Sequence, residues 1–351
     1  MYRKIMGFLE AWKDSVHRKP LILQGARQVG KTYSILEFGR THYENVAYFN
    51  FETNPKLNKT FEENISPDYL IPILSHIAGQ TIVTEKTLIV FDEVQLCERA
   101  LTSLKYFCEN APDYHIIVAG SLLGVAVNRA KFSFPVGKVD MKTLYPMDME
   151  EFMLALGEDD LVEQIKKCFQ TDTPLPSALH DAAMQLYRQY LVVGGMPECV
   201  MQFAETKDYI LVRHTQDTIL ASYLNDMSKY NNLNEIKKTR LAYDNITVQL
   251  SKKNTRFQYK LIKKGGRASE FEKAIEWLCL SGIVSQVYKV EQIKKPLTAR
   301  LQRLSFLQIF RDLRVVLPQL KNSGKMMCQR HKECEIYGNF SGTEFCVRFV
   351  A

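Results

Sequence analysis

The stretch "GARQVGKT" at positions 25–32 constrains this chain more than any other. Its spacing, Gly25-x4-Gly30-Lys31-Thr32, fits the pattern G-x-x-x-x-G-K-[ST]. Each residue type answers a physical need. Glycine lets the backbone take positive φ and approach an anion closely. Successive N–H groups of Ala26, Arg27, Gln28 and Val29 then turn inward on phosphate oxygens. Lys31 sets a cation on the β and γ phosphates, and Thr32 offers a hydroxyl to magnesium. The flanks supply the required context. "PLILQ" (Pro20 to Gln24) reads as a buried strand. "KTYSILEFGRTH" (31–42) reads as a helix whose N-terminal dipole favours negative charge. Tyr33, in its first turn, closes the expected run of nucleotide contacts, Gly25 to Tyr33.

A phosphate-binding loop needs a second strand carrying an acid for the metal. "KTLIVFDEVQ" provides it: Leu88 to Phe91 form an apolar run suited to a strand buried on both faces. Asp92 stands at the C-terminal end of that strand, where open α/β sheets place their ligands. The expected metal ligands are thus Thr32 and Asp92. Glu93 follows directly and is placed to orient and deprotonate an attacking water. Two more strands suit the same parallel sheet, "ENVAYFNFE" (44–52) and "HIIVAGS" (115–121). "ERALTSLKYFCENAP" (98–112) has the apolar face of a crossover helix. Ser121 ends its strand either as a sensor of hydrolysis or as simple Gly-Ser turn chemistry. Lys138 and Arg129 are candidates for a cation near the γ-phosphate, or plain surface charges.

"RKPLILQGARQVGKT", "VAYFNFE", "LIVFDEVQ", "HIIVAGSLLG" and "SFPVGKVDMKTLYPMDMEEFM" together resemble an uncharacterised bacterial and archaeal family of AAA-type P-loop ATPases. In that family the ATPase domain precedes a domain of unknown function. "YLVVGGMPECV", "YLNDMSKY" and "GGRASEFEKAIEWLCLSGIVSQVYKV" look like stretches of that second domain. The resemblance covers about residues 1–299. It implies an α/β P-loop fold, ATP binding and ATPase activity; beside it, the residues themselves give Mg2+ as the metal and Lys31, Glu93 and Ser121 as the catalytic candidates, with a solvated strand-end charge as the other reading of Glu93. The resemblance names no pathway. The expected layout is an ATPase domain at 1–150, a mainly helical domain with a winged-helix-like unit at 151–300, and an atypical tail at 301–351.

The second half adds its own signals. Helices over 150–230 are broken at "GGMPE", where Gly194 and Gly195 allow a sharp turn and Pro197 opens the next helix. From Lys229 to Arg300 there are sixteen Lys and Arg against six Asp and Glu. Ser269 with Glu272 forms a candidate capping box for the helix there. This basic region suits a DNA or a protein partner. After Ala299 the chain departs from the family pattern, and residues from about Lys321 onward are expected to pack poorly. Cys328, His331, Cys334 and Cys346 match no common structural zinc spacing.

The chain of 351 residues carries a net charge of +7, which permits an anionic partner without demanding one. No apolar run reaches the length of a membrane span, and the N-terminus lacks the pattern of a secretion signal. Cys97, Cys108, Cys168, Cys199 and Cys279 sit in apolar or helical contexts, which suits reduced thiols in a cytoplasm.

Overall fold

The computed structural model describes residues 1–120, 134–230, 233–250, 258–290 and 301–309. The chain divides into two compact units. The first comprises Arg3–Pro146 together with Glu272–Val284. The second comprises Met1–Tyr2, Met147–Phe271 and the described residues from Ser285.

The first unit is built on five parallel strands in the order β2-β3-β4-β1-β5. They are β1 (Leu21–Gln24), β2 (Asn45–Asn50), β3 (Thr87–Asp92), β4 (His115–Gly120) and β5 (Asp140–Thr143). β3 and β4 lie at the centre and are buried at every position. That burial is why they read as unbroken apolar runs rather than as alternating ones. Around the sheet are α1 (Ile5–Lys13), α2 (Lys31–His42), α3 (Lys56–Glu63), α4 (Pro67–Ala78) and α5 (Glu98–Asn110). One core gathers Phe49, Phe51, Phe61, Phe91, Leu104 and Phe107, all buried. Within it the Phe61 and Phe91 rings meet edge to face at 5.6 Å, an arrangement that the ring quadrupoles favour. Just past β2, the Phe51 N–H donates to the Asp92 carbonyl at 3.1 Å. The aromatic core therefore fixes the end of β3, where the acids stand.

The second unit is mainly helical. It contains α6 (Met149–Ala155), α7 (Asp159–Gln170), α8 (Ser177–Val193), α9 (Pro197–Thr206), α10 (Tyr209–Tyr230), α11 (Leu233–Leu250) and α12 (Tyr259–Ile262). The predicted break at "GGMPE" is present. α8 ends at Val193, Gly194 takes φ +76°, and Pro197 is the first residue of α9. The Gly195 carbonyl accepts from the Met147 N–H at 2.6 Å, and Tyr190 Oη donates to the Met147 carbonyl at 2.9 Å. The turn and α8 thus hold the start of α6.

α13 (Ala268–Leu280) follows, and the chain ends its described part in a two-stranded sheet, β6 (Val284–Val290) with β7 (Leu301–Ile309). Ser269 does not cap α13. α13 begins at Ala268, so Ser269 lies inside the first turn rather than before it. The capping box stands instead at α6. There the Glu151 N–H donates to Asp148 Oδ1 at 2.9 Å, and the Asp148 N–H donates to Glu151 Oε2 at 3.2 Å. The zinc candidates and the segment from Lys321 onward lie outside the described residues.

Candidate functional site

β1 ends at Gln24 and α2 begins at Lys31, so residues 25–30 form the turn between them. Gly25 takes φ +153°, and a Cβ there would stand 2.2 Å from the Leu144 carbonyl oxygen. Leu144 is held in place because its N–H donates to the Gln24 carbonyl at 2.7 Å. The sheet edge itself therefore demands glycine. Gly30 takes φ +87° as the cap of α2, and Gln28 is a non-glycine residue at φ +63°. Val29 is fully buried, and its carbonyl accepts from Arg3 Nη1 at 3.1 Å. Arg3 Nη2 donates to the Tyr145 carbonyl at 2.8 Å, and Arg3 is itself buried. The buried guanidinium ties the turn to the exit of β5. No motif marks Arg3; a cation ahead of an amphipathic helix is ordinary in sequence.

Lys31 Nζ donates to the carbonyls of Gly25 at 3.0 Å and Ala26 at 2.8 Å, with the residue 8% exposed. Burial pushes its ammonium down to about 8, against the opposing pull of the Glu93 and Asp92 carboxylates. Thr32 Oγ1 donates to Asp92 Oδ2 at 2.8 Å. Asp92 is 4% exposed, and its Oδ1 accepts from the Glu93 N–H at 2.9 Å. A hydroxyl and a buried carboxylate in contact are a hard, all-oxygen donor pair, which fits magnesium held together with nucleotide phosphates.

Glu93 takes φ +51° and ψ +38°, a left-handed conformation that a non-glycine residue holds at a cost of about 1–3 kcal/mol. Its carboxylate accepts a hydrogen bond from Gln95 Nε2. Burial pushes the Glu93 carboxyl above its ordinary range; Gln95 opposes this and Asp92 adds to it. The strained backbone and the Gln95 amide together restrain the Glu93 carboxylate. Gln95 was not among the sequence candidates, because glutamine in a short turn carries no pattern. Tyr48 was not among them either. Its hydroxyl donates to Asp92 Oδ2 at 2.7 Å.

The structure thus brings Lys31, Thr32, Asp92 and Glu93 together around the loop Gly25 to Gly30. Ala26 and Val29 are buried within the loop, while Gln28 and Tyr33 face outward, Tyr33 being 61% exposed. Ser121 and Arg129 lie outside the described residues. Lys138 is placed elsewhere. Its Nζ pairs with Glu109 at 2.9 Å, at the last turn of α5 and just before β5 begins, which is the opposite end of the parallel sheet from the loop.

An AAA domain model matches residues 17–153, and a model for a domain of unknown function, DUF8612, matches residues 184–309. The chain therefore carries an AAA-type P-loop ATPase domain followed by a domain of unknown function. No curated protein sequence matches it. Among solved structures, the Walker-type ATPase PABY2304 of Pyrococcus abyssi aligns with a TM-score of 0.53 at 14% identity, over 90% of this chain and 95% of that one. The ORC2 protein of Aeropyrum pernix aligns with a TM-score of 0.43 at 14% identity, over 93% and 95% of the two chains. The first of these likenesses supports the fold. Among the described residues no helix is long and apolar enough to cross a membrane.

Proposed function

We propose that this protein binds ATP with magnesium on Gly25 to Tyr33 and hydrolyses it, using the energy as a conformational switch on a partner. The observation that carries the reading is the 2.8 Å contact of Thr32 Oγ1 with Asp92 Oδ2, beside Lys31 on the same loop. Loop N–H groups and Lys31 would hold the β and γ phosphates, with the α2 N-terminus adding its positive pole. Thr32 and Asp92 would hold magnesium, which neutralises phosphate charge when bound. Glu93 would take the proton of the attacking water, its raised proton affinity suiting a base. Ser121, which follows β4 in the sequence and lies outside the described residues, is the candidate that senses the γ-phosphate. The five described cysteines are free thiols, in keeping with work in the cytoplasm.

The route from nucleotide to partner runs, in this reading, through Ser281–Gly282. This turn follows α13, lies in the stretch matched by the DUF8612 model, and packs against the phosphate loop within the first unit. A Cβ on Gly282 would stand 3.1 Å from the Ala26 nitrogen. A second reading keeps nucleotide binding but makes capture of DNA or protein the output, with turnover incidental. The excess of cations over 229–300 favours it.

Calorimetry of ATP with magnesium, on the wild type and on Lys31→Ala, tests the shared premise. Hydrogen bonds to charged groups contribute about 1.5–3 kcal/mol, so the variant should bind about tenfold more weakly or worse while staying folded. Equal affinity would show that the loop does not hold phosphate. Partner assays with Glu93→Gln separate the two readings: an unchanged partner cycle favours capture over the switch.

A further inference from the structure

Tyr48 is the fourth residue of β2, the strand hydrogen-bonded to β3. Its hydroxyl is caught between two partners. It accepts from Asn50 Nδ2 at 3.2 Å and donates to Asp92 Oδ2 at 2.7 Å. The Asn50 amide is itself oriented, because its Oδ1 accepts the N–H groups of Glu52 at 2.8 Å and Thr53 at 3.0 Å. That leaves Asn50 Nδ2 as the donor and fixes which way the Tyr48 proton points. Asp92 Oδ2 receives Thr32 Oγ1 as well, and Oδ1 receives the Glu93 N–H. Of about four acceptor positions on a carboxylate, three are filled by fixed donors. One remains, on Oδ1.

We infer that Tyr48 is a positioning residue for magnesium, holding the Asp92 carboxylate in one rotation so that a single acceptor position stays open to the ion or its water. The inference rests on the nucleotide-site reading above. Partners one step behind a metal ligand set its orientation, and their loss commonly costs 10–100-fold in metal affinity. Tyr48 is 38% exposed, so removing its hydroxyl leaves the core intact.

The test is the magnesium dependence of binding a non-hydrolysable ATP analogue, measured by calorimetry on the full chain. The wild type, Tyr48→Phe, Asn50→Ala and Asp92→Asn are compared, with a metal-free series for each. Manganese binding in the presence of the analogue, followed by paramagnetic resonance, gives a second readout. For Tyr48→Phe the metal-free affinity should match the wild type, and the magnesium midpoint should rise about tenfold. Asn50→Ala should shift the midpoint the same way, but less. A Tyr48→Phe midpoint within about twofold of the wild type, with Asp92→Asn strongly shifted, would overturn the role of Tyr48 and leave the site intact. A wild type that binds the analogue equally well with and without magnesium would overturn both.

Discussion

The carbonyl oxygen of Leu144 lies 2.2 Å from where a side chain on Gly25 would begin. Leu144 is backbone that belongs to the exit of β5 and is bonded to Gln24, so it has little room to retreat. The first glycine of the phosphate loop is thus required by the sheet edge as well as by φ.

Gly25→Ala should therefore fail in two ways at once. The methyl group must displace backbone at the sheet edge, a cost of about 1–3 kcal/mol for forced overpacking. The loop should also lose its concave shape. The melting temperature should fall by several degrees and ATP affinity by about tenfold or more. Thermal melts and calorimetry on the same preparation check both.

The P-loop core was legible because its chemistry is local. Gly25, Gly30, Lys31 and Thr32 sit within one turn and its helix, and Asp92 and Glu93 end an apolar run. The structure returns "KTYSILEFGRTH" as α2 with the expected limits. Arg3, Tyr48 and Gln95 were not legible. Arg3 and Tyr48 reach the site through tertiary contacts, across 26 residues from Arg3 to Val29 and 44 from Tyr48 to Asp92, while Gln95 sits two residues from Glu93 in a turn that carries no pattern. Their residue types are common and follow no period. The sequence leaves Lys138 open between a cation near the γ-phosphate and a plain surface charge; the structure places it just before β5, paired with Glu109 at the far end of the sheet. Ser269 offered a capping pattern, yet α13 starts one residue earlier.

Gly282 provides the next prediction. It takes φ +74°, and an added Cβ would stand 3.1 Å from the Ala26 nitrogen and 3.4 Å from its Cα. A non-glycine residue pays about 1–2 kcal/mol for that conformation, and its methyl would also press on the phosphate loop. Gly282→Ala should lower the melting temperature modestly and weaken ATP binding several-fold, although no residue of the loop has changed. Unaltered affinity would remove the coupling route through this turn.

His115 sets an acid limit on the fold. Its Nδ1 lies 2.7 Å from Tyr43 Oη, while its Nε2 is buried with no hydrogen-bond partner among the described residues. Burial, aided by the Arg18 and Lys13 charges, pushes its pKa from 6.5 down to about 4. The unfolded chain therefore binds more protons than the folded one between these values, so stability falls as pH drops through that window. The loss contributed by this residue is up to about 3 kcal/mol. His115→Gln keeps an acceptor for Tyr43 and cannot gain the proton. Denaturant melts at pH 7.5, 6, 5 and 4.5 should show a shallower decline for the variant than for the wild type; parallel declines would contradict this.

In the proposed cycle Glu93 activates water beside an intact ATP site. Single-turnover hydrolysis of ATP by the wild type and by Glu93→Gln, with ATP affinity measured on both, tests it most directly. The glutamine keeps the shape and still accepts a bond from Gln95, but it cannot take a proton. The variant should keep wild-type affinity to within about threefold and hydrolyse ATP about 10²–10⁴-fold more slowly, the contribution of a positioned base. Hydrolysis by Glu93→Gln at the wild-type rate would contradict it.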